Sequence, residues 1–263
     1  MSIAVWLHGC GGRMGQELQE MVVAQRQEFL LLGGSDKKLV GDPRLQGQTT
    51  TPQNLAEAAA RADLILDFSA PLGSELLLEA LHIGEWRNKR IVIGTTGLSS
   101  ELLLRWKAAS EAFDLGILIA PNTSLGIMLM LQAGLRLAAA LMERGFDLEL
   151  IETHHRNKID APSGTAKLLA DEIAKANDLQ VVYGRTDKRH ANELGIASVR
   201  GGAVFGEHTL RFLGDLEEIE ISHRALSRSV FARGALLLGR WLVVQAPGFY
   251  SLKDVSTARH ASA

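Results

Sequence analysis

Residues 152–166 concentrate side chains that transfer protons and carry positive charge. His154, His155, Arg156 and Lys158 supply four potential cations within five residues. Histidine donates or accepts a proton near neutral pH, and a nearby lysine can stabilise a developing anion or protonate carbon. This chemistry suits a small, acidic substrate. The alternative is a solvated loop, because runs of charge usually lie on exposed surfaces.

A helix is predicted over residues 163–177, and its first residues are suited to bind an anion. Ser163, Gly164 and Thr165 follow Pro162 directly. Backbone N–H groups and hydroxyls at a helix start can receive a carboxylate, although Ser163 could equally act only as the helix cap. Zinc binding is disfavoured, because the two adjacent histidines point apart and neither has a histidine partner four residues away.

A glycine-rich turn near the N-terminus is typical of dinucleotide binding. Gly9, Gly12 and Gly15 lie directly after a predicted strand, residues 3–8, and at the start of a predicted helix, residues 13–25. Glycines there permit a tight turn, close approach of the backbone to a pyrophosphate, and close contact of helix and strand. An ordinary turn is the alternative.

An acidic residue stands where a dinucleotide ribose would need it. Asp36 follows Gly15 by 21 residues, at the end of the second predicted strand. A carboxylate there accepts hydrogen bonds from ribose hydroxyls, whereas the adjacent Lys37 and Lys38 could pair with the 2′-phosphate of NADP. The sequence therefore predicts NADH or NADPH, or both, as cofactor, unless these three residues form a solvated surface run.

Two further polar loops follow the fourth and fifth predicted strands. In open α/β sheets ligands lie beyond the carboxyl ends of the strands, so both loops are expected to flank the nicotinamide, with simple turn chemistry as the alternative. Arg200, His208 and His223 could add polar groups to a site, or serve as sheet-edge and turn residues. The two loops are Gly94-Thr95-Thr96-Gly97 and Ala120-Pro121-Asn122-Thr123-Ser124.

The elements that position these residues fall into two patterns. The first half alternates short apolar runs with amphipathic helical stretches, which is typical of a parallel sheet flanked by helices. In the second half several strands follow one another with short connections, which indicates an antiparallel or mixed sheet. Strands are predicted at residues 3–8, 29–34, 64–68, 90–94, 116–120, 147–152, 196–200, 208–213 and 218–222, and helices at residues 13–25, 53–62, 74–82, 99–112, 126–142, 163–177 and 229–245.

The predicted fold class is α/β with two domains. An N-terminal Rossmann-like dinucleotide-binding domain, residues 1–125, precedes a second α+β domain with a mixed, largely open sheet, residues 126–234. The second domain is expected to bind substrate and mediate oligomerisation. We expect the C-terminal segment, residues 235–263, to pack back on the first domain.

Composition narrows the function classes. The chain has 263 residues, 46% of them hydrophobic, and a formal net charge of −2, so a nucleic-acid partner is not expected. The single cysteine, Cys10, excludes an internal disulfide and fits a cytoplasmic location. No secretory signal is evident, and the longest uncharged stretch, residues 115–135, is interrupted at Pro121, so no membrane association is expected.

With these motifs in place, the chain resembles the 4-hydroxy-tetrahydrodipicolinate reductase family, also called dihydrodipicolinate reductase, of the diaminopimelate route to lysine. The resemblance spans nearly the full length and rests most specifically on residues 152–166. Its other motifs are Gly9-Cys10-Gly11-Gly12-Arg13-Met14-Gly15, Gly94-Thr95-Thr96-Gly97, Ala120-Pro121-Asn122, Arg200-Gly201-Gly202, Gly206-Glu207-His208 and Pro247-Gly248-Phe249-Tyr250.

The resemblance implies a role for each matching residue. His154 would be the proton donor or acceptor and Lys158 a second proton donor, while His155, Ser163, Gly164 and Thr165 would bind the substrate carboxylates, with no metal. The family is typically a cytoplasmic homotetramer assembled through the sheets of its second domains. The residues implied to bind NADH or NADPH are Gly9, Cys10, Gly11, Gly12, Arg13, Met14, Asp36, Lys37, Gly94, Thr95, Thr96, Ala120, Pro121, Asn122 and Thr123.

Small departures from the family pattern leave the preferred nicotinamide open: Asp36 stands where Glu is also common, and Thr123 where Phe is often expected.

Two alternative functions remain, namely another two-domain reductase of a small imine or keto acid, and a non-catalytic nicotinamide sensor. A semialdehyde dehydrogenase is excluded, because the only thiol lies in the glycine turn. A short-chain dehydrogenase is excluded by the absence of a Tyr-x-x-x-Lys motif.

Overall fold

The computed structural model describes residues 2–36 and 52–257. The chain divides into two compact units. The first comprises Met1–Ser124 and Ser229–Ala263, and the second comprises Leu125–Arg228. The chain thus leaves the first unit, forms the second as one continuous insertion, and returns.

The first unit contains a six-stranded parallel sheet in the order β11-β5-β4-β3-β1-β2. The order changes direction between β1 and β3, which in doubly wound sheets is where a ligand crevice opens at the carboxyl ends. The strands are β1 (Ile3–His8), β2 (Phe29–Ser35), β3 (Leu64–Asp67), β4 (Arg90–Ile93), β5 (Gly116–Ile119) and β11 (Gly248–Ser251).

Helices pack against this sheet, and buried aromatic side chains contribute to the core. Trp6 on β1 and Trp106 on a helix packed against the sheet are among the largest fully buried side chains of the described residues. The Trp106 indole N–H donates to Ser74 Oγ at 3.2 Å, so its buried polar group is satisfied. The helices are α1 (Arg13–Ala24), α2 (Pro52–Ala58), α3 (Pro71–Ile83), α4 (Ser100–Ala112), α7 (Ser229–Val243) and α8 (Leu252–Thr257), with a short 3₁₀ turn, Ala59–Arg61.

The second unit contains a five-stranded mixed sheet in the order β10-β9-β6-β8-β7. The central β6 pairs in parallel with β8 and antiparallel with β9, so β8 and β9, which follow one another in sequence, lie on opposite sides of it. The strands are β6 (Asp147–His154), β7 (Gln180–Tyr183), β8 (Glu193–Arg200), β9 (Glu207–Leu213) and β10 (Glu218–Arg224), and the helices are α5 (Leu125–Leu141) and α6 (Gly164–Asn177).

One face of this second sheet is buried, and its side chains change from apolar to polar along the strands. Leu148, Leu150 and Leu210 pack with residues of α5 and α6 in the core. Further along the same face, Glu152 and His154 are also buried. The alternating burial of β6 and β9 therefore places polar groups at one end of an otherwise apolar layer.

The predicted fold class is confirmed, and three local differences are instructive. The short β7 and the final β11 were not predicted; β11 pairs with β5 and needs that neighbour to form. β6 runs on to His154 rather than ending at Glu152, which puts both side chains on one strand face.

Within the described residues, one helical segment, Leu125–Arg144, is long and apolar enough to cross a membrane, with a mean hydropathy of 1.7 over its best window. It consists of α5 and the 3₁₀ turn after it. Length and composition alone are weak evidence for a span, because core helices pass the same test. Ile127, Met130 and Leu131 of this helix lie in the core of the second unit.

Candidate active site

The glycine turn has the geometry of an anion cradle. Gly9 has φ +82°, and a Cβ there would lie 2.5 Å from the backbone oxygen of Phe68. A Cβ at Gly15 would lie 2.3 Å from the oxygen of Gly9. Gly12 precedes α1 and has no side chain to cap it. No capping side chain therefore accepts hydrogen bonds from the first backbone N–H groups of α1. Such a helix start is suited to bind a pyrophosphate.

The other residues predicted to bind the dinucleotide near this turn differ in their surroundings. Asp36 Oδ2 accepts a hydrogen bond from the backbone N–H of Gly11 at 3.1 Å, so the acid predicted to bind ribose lies beside the turn. Cys10 is fully buried and faces Gly34, as a packing residue would. Arg13 and Met14 begin α1. Lys37 and Lys38 lie outside the described residues.

A buried aspartate joins the loops after β3 and β4. Asp67 Oδ1 accepts hydrogen bonds from Ser69 Oγ at 2.6 Å and from Thr95 Oγ1 at 2.9 Å. Its Oδ2 has no hydrogen-bond partner in the described part of the chain. Gly94 leaves room for the ring of Phe68, and Thr96 is exposed. Sequence reasoning missed Asp67; an acid ending a fully apolar strand was the available signal.

The loop after β5 is held by its own side chains. Asn122 Oδ1 accepts from the backbone N–H of Ser124 at 2.8 Å, and Thr123 Oγ1 donates to the carbonyl of Phe231 at 2.7 Å. Ala120 is buried and Pro121 is exposed. Thr123 therefore anchors this loop on the residues that form α7, so its hydroxyl is engaged within the first unit.

In the second unit, His154 and Glu152 form a buried pair at the end of β6. His154 Nδ1 lies 2.5 Å from Glu152 Oε2. Arg200 makes two hydrogen bonds to the same carboxylate, at 2.9 Å and 2.7 Å, and the backbone N–H of Ser163 donates a fourth at 3.1 Å. Sequence reasoning assigned no role to Glu152, although its strand alternation with His154 was a usable signal.

These contacts determine the charges of the pair. Burial raises the pKa of Glu152, but hydrogen bonds from Arg200 and His154 bring it down to about 2. Burial lowers the pKa of His154, against the opposing effect of Glu152. Near neutral pH the carboxylate is therefore ionised and the imidazole is neutral.

A second histidine, His208, lies against His154. Their ring centroids are 5.2 Å apart in an edge-to-face arrangement. His208 Nε2 lies 3.1 Å from Ser163 Oγ, while its Nδ1 has no hydrogen-bond partner among the described residues. Burial is the main cause that lowers the pKa of His208 to about 3, and the electrostatic effect of a protonated His154 at lower pH acts in the same direction. His208 therefore stays neutral and connects β9 to the start of α6.

The loop between β6 and α6 carries the remaining predicted residues. Lys158 Nζ lies 2.8 Å from Asp160 Oδ1, and the backbone N–H of Lys158 donates to the carbonyl of His155. Ser163 Oγ accepts from the N–H of Ala166 at 3.1 Å and so caps α6, whose first residues are Gly164 and Thr165. The fold brings these residues to the same end of the sheet as His154.

A parallel nucleotide-binding sheet joined to a second unit with a buried histidine–carboxylate pair defines a two-unit oxidoreductase of the kind that uses NADH or NADPH. The chain belongs to the dihydrodipicolinate reductase family: it matches the family's N-terminal region over residues 3–123 and its C-terminal region over residues 126–255.

Individual relatives agree along nearly the whole chain. The 4-hydroxy-tetrahydrodipicolinate reductases of Thiobacillus denitrificans and Methanopyrus kandleri are 39% and 38% identical, covering 97% and 96% of this chain and 98% and 96% of their own. A dipicolinate-bound dihydrodipicolinate reductase from Paenisporosarcina sp. TG-14 superposes with a TM-score of 0.78 at 27% identity, covering 97% of this chain and 100% of its own. Family membership confirms the resemblance and an NAD(P)H-dependent reductase.

Proposed function

We propose that this chain reduces 4-hydroxy-tetrahydrodipicolinate to tetrahydrodipicolinate with NADH or NADPH, in the diaminopimelate route to lysine. The observation that carries the proposal is the ionised Glu152 holding a neutral His154 beside the start of α6. The relatives that match nearly full length carry this reductase name. We therefore infer that this chain acts on the same substrate as these relatives.

The first unit would hold the dinucleotide and the second the substrate. The glycine turn offers α1 to the pyrophosphate, Asp36 accepts from a ribose hydroxyl, and the loops at residues 94–96 and 120–123 flank the nicotinamide. Bound reduced nicotinamide supplies the hydride. The proximity of Asp36 to the N–H of Gly11 supports this assignment, because one carboxylate then serves turn and ribose together.

The substrate carries two carboxylates, and the second unit presents groups of matching chemistry. Lys158 and His155 lie in the loop, and the backbone N–H groups of Gly164 and Thr165 begin α6. Dipicolinate, the ligand of the Paenisporosarcina relative, is a planar ring dicarboxylate. We expect it to bind this chain at the same groups, as a mimic of the substrate.

Proton transfer falls to the two catalytic residues. Loss of the 4-hydroxyl as water gives a conjugated, imine-bearing ring. Reduction of that ring then requires a proton on the carbon beside the one that receives hydride, and we assign its donation to the Lys158 ammonium. His154 donates its Nδ1–H to Glu152, so its Nε2 is left as an acceptor that can hold or return a proton near the substrate. The positive charges of Arg200 and Lys158 both disfavour protonation of His154.

The chain would work as a cytoplasmic homotetramer assembled through the second units. The face of the second sheet opposite α5 and α6 carries Ile151, Thr153 and Val199 at its centre, and Val199 is 47% exposed. Ion pairs such as Arg211 with Glu218 surround these residues. An apolar centre with a polar rim supports a subunit interface.

A coupled assay tests the function. The purified chain is given substrate freshly made by the preceding synthase, and oxidation of NADH or NADPH is followed with each cofactor in turn. We expect oxidation that depends on substrate and that dipicolinate inhibits competitively. Tight cofactor binding without turnover would instead support a nicotinamide sensor.

A further inference from the structure

Glu152 makes more contacts than a structural ion pair requires. It is fully buried, and both of its oxygens accept two hydrogen bonds, from His154 and Arg200 at Oε2 and from Arg200 and the N–H of Ser163 at Oε1. A carboxylate withdrawn from water is stable only when so fully paired. One side chain therefore ties together β6, β8 and the start of α6.

The charge of this carboxylate determines where the imidazole proton lies. Arg200 holds Glu152 ionised, and an ionised carboxylate only accepts hydrogen bonds. The hydrogen between His154 and Glu152 must then belong to Nδ1, which leaves the lone pair on Nε2. The neutral His208 packed on the ring adds no competing charge.

The opposite side of the imidazole, at Nε2, faces Gly206. A Cβ at Gly206 would lie 3.0 Å from His154 Nε2, closer than most real contacts, so the absence of a side chain there leaves space beside this nitrogen. Turning the ring over about the Cβ–Cγ bond would put Cδ2 where Nδ1 lies and Cε1 where Nε2 lies, and would break the 2.5 Å bond to Glu152. Orientation and tautomer are thus fixed together.

We propose that Glu152 is a positioning residue, which, neutralised by Arg200, fixes His154 as the Nδ1–H tautomer with Nε2 available to the substrate. The catalytic consequence rests on the proposed function, because it is exerted only through His154. The charged and titratable groups facing the pair are Arg200 on β8, Lys158 in the loop and His208 on β9, with His223 on β10 acting on His208.

The test is Glu152→Gln, read by ¹⁵N NMR of histidine-labelled protein without substrate, with the His154 signals assigned by their loss in His154→Asn. The amide keeps the shape. Two obligatory donors, Arg200 and the Ser163 N–H, remain at the Oε1 position against one, from Arg200, at the Oε2 position, so the carbonyl is drawn to the Oε1 position and the NH₂ faces His154. We expect the wild type to show protonated Nδ1 and the variant to show protonated Nε2. An unchanged Nδ1–H tautomer in the variant would overturn the proposal.

Kinetics give a second readout with a defined sign. Glu152 raises the pKa of His154, so its loss should move the acid limb of kcat/KM to lower pH and reduce kcat by about 10-fold or more, with KM for the nicotinamide unchanged. Glu149→Gln is the matched control: Glu149 is on the same strand, faces the other side and pairs with Arg185 and Arg189. It should change neither tautomer nor acid limb.

Folding and function are kept separate in this design. If Glu152→Gln does not fold, Glu152→Gln/Arg200→Gln removes both buried charges together and is read by the same tautomer signal, with the same outcomes deciding. If the wild type shows no turnover while the tautomer changes as expected, the proposed function fails and the positioning role stands. Turnover with an unchanged tautomer leaves the function intact and refutes Glu152 positioning.

Discussion

Lys158 is paired with an acid of its own loop. Burial raises the pKa of Asp160, but the Lys158 ammonium 2.8 Å away holds it below its usual range. The pair is exposed on the Asp160 side, and a substrate carboxylate would compete with Asp160 for the same ammonium. Asp160 therefore stabilises the charged form of Lys158 until a substrate carboxylate takes its place.

Lys158→Ala should reduce kcat by about 100-fold or more, because it removes the proposed proton donor, while leaving the Kd for NADPH within about twofold. Steady-state kinetics and cofactor titration measure the two effects. Lys175→Ala, an exposed lysine near the end of α6, is the control and should match the wild type. Equal turnover in Lys158→Ala would refute the role.

His208 makes stability depend on pH. Its pKa is about 3 in the folded chain, against 6.5 for an ordinary histidine, so the unfolded chain binds more protons between these values and stability falls as pH drops through this window. From pH 7.5 to pH 5 the loss due to His208 should be about 2 kcal/mol. Urea denaturation should show a smaller pH effect in His208→Gln; the same effect in both proteins would contradict this assignment.

Two helices, one in each unit, begin with a serine cap, but the two serines make different contacts. Ser99 Oγ accepts from the N–H of Leu102 and caps α4, whereas Ser163 Oγ caps α6 and also contacts His208. The same local signal, a serine before a helix, therefore serves packing in one place and the proposed substrate site in the other.

Ser99→Ala and Ser163→Ala should each cost about 1 kcal/mol of unfolding free energy, because each removes one N-cap bond. Only Ser163→Ala should raise KM for the substrate, since it also releases His208. Denaturant unfolding and steady-state kinetics check both variants. An equal rise in KM in Ser99→Ala would show that the effect is general destabilisation.

At the scale of the whole molecule, α5 and α6 cover one face of the second sheet, and the opposite face carries exposed side chains such as Val199. Val199 and Ile151 lie near the centre of this outer face, with charged residues such as Arg211 and Glu218 towards one edge. Covering such a face with the same face of other copies would remove the apolar centre from water and give closed symmetry.

Val199→Asp should therefore dissociate the proposed homotetramer, because it places a charge at the centre of that face. Light scattering coupled to size exclusion measures the mass. Leu104→Asp on α4, where the native side chain is 67% exposed, is the control and should leave the mass unchanged. A tetramer that persists in Val199→Asp would place the interface elsewhere.

The sequence by itself determined the alternation of strands and helices in the first unit, the glycine turn with Asp36, and the cationic loop with its helix start. These are local patterns, carried by neighbouring residues and by strand and helix periods. β1 occupies the predicted residues, Ile3–His8, because its apolar run and the glycines after it delimit it locally.

The tertiary structure alone decided which polar residues meet. Arg200 reaches Glu152 across 48 positions, and His208 lies opposite Glu152, only because β6 is inserted between β8 and β9. Strand order depends on the free energy of the whole core, which no short window of sequence contains. His154 was visible as a candidate from its residue type, but its tautomer, charge and partners depended on that pairing.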